Sequence, residues 1–269
     1  MPIPSLRGLS LQLSSPFQRA LWQSLGFTLE SLESCGGRNG ITRIRFSNLE
    51  LELLPPLRKP PTTITSDDDE RQSGQPSVVS WHWDGVDSDA ISNTSTFSVL
   101  PMKPMETGAT APTSLPTHPN QVTRVDHVVI TTNNADKLVE DFKVVGIDLV
   151  RVRTDIYPGV TQMFFRTGAV QTHKGAFIEL LSTSKANSAQ PASSSSEVPE
   201  FEVNVWGIGL ESVDLETTHK VVSPMTSSIR PAKQEGKKIL TLKPTNALGV
   251  ALAVLSRRSS RQQNASSSL

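Results

Sequence analysis

The sequence predicts an α+β protein built from repeated strand–helix–strand–strand–strand units. The first supporting observation is the order of hydrophobic patterns between residues 125 and 181, where one helical pattern lies among four strand patterns. The second is that the same order recurs on both sides of this region. The third is the placement of a histidine in the first strand of the middle unit and a glutamate in its last strand.

The middle unit has the clearest pattern. Val125–Ile130 is an apolar run that suits a strand, and Leu138–Val145 has the apolar spacing of an amphipathic helix. Gly146 is placed to end that helix, because glycine adopts the left-handed conformation common just after a helix. The remaining predicted strands of the unit are Asp148–Arg153, Thr161–Thr167 and Phe177–Leu181.

Three further copies are predicted, one of them shortened. The N-terminal copy begins with the strand Leu6–Leu13 and the helix Pro16–Leu25, which follows the capping residues Ser14 and Ser15. Its later strands are Gly26–Leu29, Ile41–Phe46 and Leu49–Leu54. The C-terminal copy contains Trp206–Leu210, the helix Asp214–Val221, Lys238–Leu242 and Val250–Leu255. The shortened copy has lost its helix and contains Trp81–Val86 and Thr96–Leu100.

Low-complexity segments divide these copies into two pairs. Stretches rich in Pro, Thr and Ser cannot bury enough apolar surface to offset the entropy lost on ordering. We therefore predict a degenerate pair of units at residues 1–103, a Pro/Thr-rich linker at 104–120, a second pair at 121–256 and a disordered tail at 257–269.

Composition excludes several classes of protein. Lys and Arg number 26, as do Asp and Glu, so a zero net charge gives no field to attract nucleic acid or an anionic membrane. No apolar run reaches the roughly 20 residues that span a bilayer. The single cysteine, Cys35, excludes an intramolecular disulfide and favours a reducing compartment. We expect a cytoplasmic protein; the alternative is a mitochondrial one, since Met1–Leu29 contains two arginines and no acidic residue before Glu30.

The unit order, with His127 in the first strand and Glu179 in the last, resembles the vicinal oxygen chelate superfamily, also called the glyoxalase/bleomycin-resistance/dioxygenase superfamily. The resemblance implies paired units whose curled sheets form half-open barrels around a pocket. It also implies a divalent metal that chelates two neighbouring substrate oxygens, as in glyoxalases, epimerases, ring-cleaving dioxygenases and thiol transferases. Drug-sequestering members bind their ligands without metal.

His127 and Glu179 are the candidate metal ligands. Imidazole nitrogen and carboxylate oxygen suit Zn, Fe, Mn, Co or Ni, and one shared metal requires the two side chains within about 5 Å. The resemblance implies equivalent ligand positions in the other copies. These fall on Gly207 and Ala253 in the C-terminal copy and on Gly8 and Glu52 in the N-terminal copy. Gly207 and Ala253 should line the same cavity as His127 and Glu179. The alternatives are a histidine bonded to its neighbour Asp126, a glutamate on the solvent face, and a site without metal.

A pocket can also be built without metal. Alternation along 161–166 sends either Gln162, Phe164 and Arg166 or Met163 and Phe165 into the cavity. The first set suits a small carboxylate or carbonyl ligand. Trp206, Arg151 and Arg153 are weaker candidates for the same pocket. The alternative is core aromatics with an exposed arginine.

Three functions remain open. The first is a glyoxalase-like lyase, isomerase or dioxygenase that acts on a small oxygen-rich metabolite with the help of a metal. The second is a metal-free small-molecule-binding protein, and the third is a non-catalytic scaffold for protein partners. Four units in one chain can satisfy the pairing internally, so a monomer is expected and a homodimer is the alternative.

Overall fold

Two open sheets form the molecule. The computed structural model describes residues 5–13, 16–31, 41–55, 78–84, 86, 102–104, 117–168, 175–183, 201–223, 225–242 and 250–257. A six-stranded sheet is built from the first half of these residues and an eight-stranded sheet from the second half. The predicted α+β class, with repeated units in curled and unclosed sheets, is confirmed.

The first sheet contains one complete unit and two strands of a second. Its elements are β1 (Ser5–Gln12), α1 (Pro16–Ser24), β2 (Glu30–Ser31), β3 (Thr42–Arg45), β4 (Glu50–Leu54), β5 (Val78–Asp84) and β6 (Met102–Pro104). The strand order is β2-β3-β4-β1-β5-β6. Within Met1–Leu29, whose composition suggested a transit peptide, Ser5–Gln12 forms an inner strand of this sheet and Pro16–Ser24 forms its helix.

The second sheet contains two complete units. Its elements are β7 (Val122–Thr132), α2 (Ala135–Val144), β8 (Leu149–Tyr157), β9 (Val160–Arg166), β10 (Phe177–Thr183), β11 (Val203–Ser212), α3 (Leu215–Val222), β12 (Arg230–Pro231), β13 (Lys238–Thr241) and β14 (Ala251–Ser256). The strand order is β12-β13-β14-β11-β7-β10-β9-β8. In each complete unit the first strand pairs in parallel with the last, as β7 does with β10 and β11 with β14. The two units meet where β7 and β11 run antiparallel.

The helices cover one face of the second sheet and leave the other face for a site. Phe165 on β9 is fully buried and meets Phe142 of α2 edge to face, with ring centroids 4.9 Å apart. Leu138 of the same helix is also fully buried. Because neighbours along a strand point to opposite faces, Phe164 points away from the helix. Of the two alternatives for this strand, the set with Gln162, Phe164 and Arg166 therefore faces away from the helix-covered core.

The two halves of the chain are joined by buried polar contacts. The Asn48 side chain donates to the Val125 carbonyl at 2.7 Å and accepts from the Val125 N–H at 3.0 Å. Two further residues of the junction, His118 and Asn120, are 2% and 1% exposed, although both lie in the predicted linker at 104–120. Asn120 donates to the Leu25 carbonyl at 2.8 Å. The end of the predicted linker is therefore part of the junction, while the division into domains stays a prediction.

Most predicted elements lie within a few residues of the observed ones. Gly26–Leu29 was expected as a strand, but only Glu30–Ser31 is paired, and the short β12 was not predicted. Thr96–Leu100 lies outside the described residues, as does Cys35. None of the helices described is long and apolar enough to cross a membrane.

Candidate functional site

A cleft of about 820 Å³ lies against the face of the second sheet that the helices leave uncovered. Its walls come from β7, β8, β9, β10 and β11, with the loop before β13 and Ser47 of the first half completing the rim. Of the residues predicted for a site, His127, Phe164, Arg166 and Glu179 line it.

Strand register explains why residues far apart in sequence meet here. Arg151 pairs with Phe164, which pairs with Glu179 on the next strand. Arg166 pairs with Phe177, which in turn pairs with His127. Directly paired residues point to the same face of a sheet. Two rows of side chains therefore cross the cleft, one ending near Glu179 and the other at His127.

An irregularity in β7 brings a second acid into the cleft. The pairing of β11 with β7 shifts between Gly209 and Leu210, which pair with His127 and Val125 and leave Asp126 unpaired. Such a bulge lets two consecutive side chains face the same side. Asp126 and His127 both line the cleft, and His127 Nδ1 lies 2.9 Å from Asp126 Oδ2. Since an ionised carboxylate can only accept, the ring donates from Nδ1 and leaves Nε2 directed elsewhere.

The second ring nitrogen of His127, Nε2, faces Glu179. His127 Nε2 lies 3.8 Å from Glu179 Oε2, within the separation of about 5 Å expected for two ligands of one metal. Gln162 does not line the cleft but supports this pair, since its Nε2 donates to Glu179 Oε1 at 2.6 Å. Burial raises the pKa of Glu179, although the His127 ring and the Gln162 bond oppose the shift. The carboxyl is thus held closer to its protonated form than an exposed glutamate.

Asp126 is fixed in its ionised form. Burial alone would raise its pKa, but the bond from His127 and the charge of Lys237 together lower it well below its ordinary value. Lys237 Nζ lies 3.0 Å from Asp126 Oδ1 and 3.5 Å from Glu211 Oε2. The lysine side chain is only 7% exposed. A continuous polar network therefore runs from Glu211 through Lys237, Asp126 and His127 to Glu179.

The metal hypothesis can be tested against the donors present. Within the parts of the chain that the structure describes, no cluster of three or more His, Cys, Asp or Glu side chains could hold a metal. Gly207 and Ala253 share the face of Glu179 through their pairing with Val129 and Gly209. They carry no donor atom, and contrary to expectation neither is among the described residues lining the cleft. His127 and Glu179 thus supply two donors, whereas a catalytic zinc normally has three protein ligands.

The equivalent positions in the first sheet hold a hydrogen-bonded network. Glu52 accepts from Ser10 Oγ at 3.0 Å and from Arg43 Nη2 at 3.2 Å. His82 on β5 lies opposite Gly8, and its Nε2 is 2.8 Å from Ser10 Oγ and 3.7 Å from Glu52 Oε2. Glu52 is therefore bonded to other side chains, and Gly8 has no side chain that could bind a metal.

Trp206 lies outside the cleft. The pairing of β11 with β7 shifts between Val205 and Gly207, so Trp206 has no partner on β7, and it is 56% exposed. In contrast, Arg151 and Arg153, the weaker candidates on β8, line the cleft. Lys237 also lines it and is buried, although its place in a turn suggested a solvated side chain. No sequence signal indicates Lys237, which meets Asp126 across 111 positions.

Comparisons with known proteins agree on the fold. A triple variant of 4-hydroxymandelate synthase from Streptomyces coelicolor superposes over 97% of this chain and 94% of its own, with a TM-score of 0.62 and 11% identity. A xylose isomerase-like TIM barrel/4-hydroxyphenylpyruvate dioxygenase fusion protein superposes over 96% of this chain and 50% of its own, with a TM-score of 0.58 and 14% identity. No protein-family model and no curated protein sequence matches the chain.

At sequence identities this low, the superpositions establish the fold but not the activity. Three observations support the same fold. They are the repeated units, the parallel pairing of the first and last strands of each unit, and the two superpositions. The chain therefore has the glyoxalase-like fold of the vicinal oxygen chelate superfamily.

Proposed function

We propose that the cleft binds a small oxygen-rich metabolite and that His127 and Glu179 act on it by proton transfer. The observation that carries the proposal is the arrangement of Asp126, His127 and Glu179 along one wall of the cleft. The ionised Asp126 holds the imidazole by Nδ1, so that Nε2 faces the cavity side occupied by Glu179.

Proton transfer suits this arrangement for a physical reason. General acid–base catalysis works best when the groups change protonation near the working pH. The raised pKa of Glu179 moves its titration in that direction, and the two side chains lie close enough to serve one ligand from neighbouring positions. The reaction class that fits is proton removal from, and return to, a carbon next to a carbonyl, as in isomerisation.

The test begins with ligand discovery. Thermal-shift screening of small oxo- and hydroxy-acids, in the presence of EDTA, should identify compounds that raise the melting temperature. Each binder is then incubated with the protein in D2O, and NMR follows exchange of the hydrogen next to its carbonyl. We expect exchange with the wild-type protein and a loss of at least tenfold in Glu179→Gln and in His127→Ala.

Matched controls on the two helices that pack against this sheet make the result specific. Glu140→Gln on α2 and His219→Ala on α3 remove the same chemical groups outside the cleft and should keep full exchange. If no compound binds, or if exchange continues in both cleft variants, the proposal is wrong.

A second candidate is that His127 and Glu179 bind a divalent metal ion. It is favoured by the Asp126–His127 bond, because metal-binding histidines usually donate their other ring nitrogen to a carboxylate or carbonyl. The metal content of the purified wild-type protein, measured beside His127→Ala and the control His219→Ala, decides it. Equimolar metal lost only in His127→Ala would support this candidate, and sub-stoichiometric metal in all three would remove it.

A further inference from the structure

Positive charge is concentrated in the cleft although the chain as a whole is neutral. Six cationic residues line it against three acidic ones, Asp126, Glu179 and Glu211, which leaves an excess of three positive charges. The cationic residues are Arg124, Arg151, Arg153, Arg166, Lys237 and Arg257. A cleft with one sign of charge in excess attracts ligands of the opposite sign.

The acidic residues of the cleft already have partners. Lys237 lies within ion-pair distance of both Asp126 and Glu211. Glu179 is engaged by His127 and Gln162, and the charge of Arg153 also acts on it. Among the residues that the structure describes, the side chains of Arg151 and Arg166 have no carboxylate partner.

These two arginines flank one aromatic ring. Arg151 is the cross-strand neighbour of Phe164, and Arg166 lies two positions from Phe164 on the same strand and face. Diagonal neighbours in a sheet lie about 7–8 Å apart, a spacing that two long side chains can close around one small group. Guanidinium groups bind carboxylate or phosphate through paired hydrogen bonds.

We propose that an anionic group of the ligand, a carboxylate or a phosphate, binds between Arg151 and Arg166 above the ring of Phe164. The inference rests on the proposed function, because it identifies the class of molecule that reaches His127 and Glu179. Glu179 lies one strand beyond Phe164, at a spacing of about 4.8 Å. The ligand is therefore a short acid whose reacting carbon lies only a few bonds from its anionic group.

Binding of simple anions tests this inference directly. Succinate, inorganic phosphate and the neutral analogue succinamide serve as probes in isothermal titration at low ionic strength. We expect the wild-type protein to bind succinate or phosphate, with the tighter of the two identifying the group, and not to bind succinamide. Arg151→Gln and Arg166→Gln should each weaken that binding about tenfold, which corresponds to about 1.4 kcal/mol.

Two further variants control for charge and folding. Arg230→Gln removes an exposed arginine that is not among the residues lining the cleft and should bind as the wild type does. Arg166→Lys keeps the charge but loses the planar fork, and should recover only part of the affinity. Unchanged melting temperatures confirm that the variants fold. The inference is wrong if no probe anion binds, if succinamide binds equally well, or if Arg230→Gln weakens binding as much as the cleft variants.

Failure of this inference can be distinguished from failure of the proposed function. Glu179→Gln should keep or strengthen the binding of succinate or phosphate, because it removes no cation from the cleft and takes away one negative charge. Anion binding that depends on Arg151 and Arg166, without hydrogen exchange in any ligand, would keep the anion site and remove the proton-transfer function. Hydrogen exchange that depends on Glu179, with anionic and neutral ligands bound equally well, would keep the proton-transfer function and remove the anion site.

Discussion

Gly209 lies directly across from His127 in the antiparallel pairing of β11 and β7. A Cβ atom built on Gly209 would stand 2.2 Å from His127 Cε1 and 2.6 Å from its Nε2. The imidazole therefore lies over the backbone of a residue that has no side chain. The absence of a side chain at Gly209 therefore allows the His127 ring to lie where it does relative to Glu179.

The first prediction is a double-mutant cycle at these two positions. Gly209→Ala should destabilise the protein by about 1–3 kcal/mol, because the added methyl displaces a packed ring. In the background of His127→Ala the same substitution should cost much less, since the ring is gone. Urea unfolding of the four proteins measures the coupling. Equal costs in both backgrounds would show that the ring does not occupy this space.

The second prediction concerns the titration of Glu179. Its pKa in the folded protein is raised above the ordinary value of 4.5, mainly by burial. The folded state then binds more protons than the unfolded state between those two pKa values, so Glu179 makes stability fall as the pH rises through that range. Glu179→Gln should remove this loss and gain stability relative to the wild type from pH 4.5 to pH 7. A constant difference between the two proteins across that range would contradict the assignment.

Sequence reasoning at this scale found the residues whose position in a unit is distinctive. His127 and Glu179 are residue types that bind metals and stand in the first and last strands of one copy, so the resemblance to the superfamily singled them out. Asp126 was recognised only as a neighbour of His127, because a bulge is needed to bring both into the cleft. Their roles in metal binding or catalysis stay predictions.

The loop before β13 contributes to the cleft through one buried lysine. Lys237 closes a turn in which the Ala232 N–H donates to its carbonyl at 2.9 Å, and its ammonium reaches β7 and β11. A charge this buried is stable only when it is paired. The loop is therefore tied to the strands that carry Asp126 and Glu211.

The third prediction is the cost of removing that charge. Lys237→Met leaves two carboxylates buried without their partner and should destabilise the protein by about 3–5 kcal/mol at pH 7. Lys143→Met at the exposed end of α2 is the matched control and should change stability by less than about 0.5 kcal/mol. Thermal or urea unfolding of both variants provides the measurement, and equal small effects would show that the pairing contributes little.

Elements with a clear apolar period were predictable, and short ones were not. α2 was expected at Leu138–Val145 and occupies Ala135–Val144, with Asn134 as its N-cap. β12 is two residues long and both are exposed, so its sequence carries no alternation to read. Its pairing with β13 is decided by the neighbouring strand rather than by local preference.

At the scale of the whole molecule, a buried histidine links the two halves. The Thr28 N–H donates to His118 Nδ1 at 3.1 Å, and His118 Nε2 lies 2.9 Å from the Arg45 carbonyl. This pattern requires a neutral ring that carries its proton on Nε2. Burial lowers the pKa of His118 below its ordinary value of 6.5, although the bond to Arg45 opposes the shift.

The fourth prediction follows from that neutral ring. Below pH 6.5 the unfolded chain binds a proton at His118 that the folded protein excludes, so stability should fall as the pH drops from 6.5 through the lowered pKa. His118→Gln should be less stable at pH 7 but should lack this part of the acid dependence. Urea unfolding between pH 5 and pH 8 measures both curves, and parallel curves would mean that His118 does not control the junction.

The pairing of units within one chain predicts the assembly. β7 and β11 belong to one chain and already join the two units of the second sheet. As the fifth prediction, light scattering should give a mass near 29.2 kDa. A mass near twice that value would contradict the expected monomer. Repetition in the sequence allowed this inference, whereas the junction through Asn48 and His118 could not be foreseen, because it joins single polar residues across distant segments.

Gly207 restricts which side chains the second unit can carry at the place that matches His127. In the two-unit sheet it occupies the place on β11 that corresponds to His127 on β7, and a Cβ there would lie 2.9 Å from the Ala251 carbonyl oxygen. A donor side chain at this position therefore requires β14 to move as well. A histidine at Gly207 would thus have to be accompanied by a substitution that moves β14, so two changes, not one, separate this chain from a second histidine at the place that matches His127.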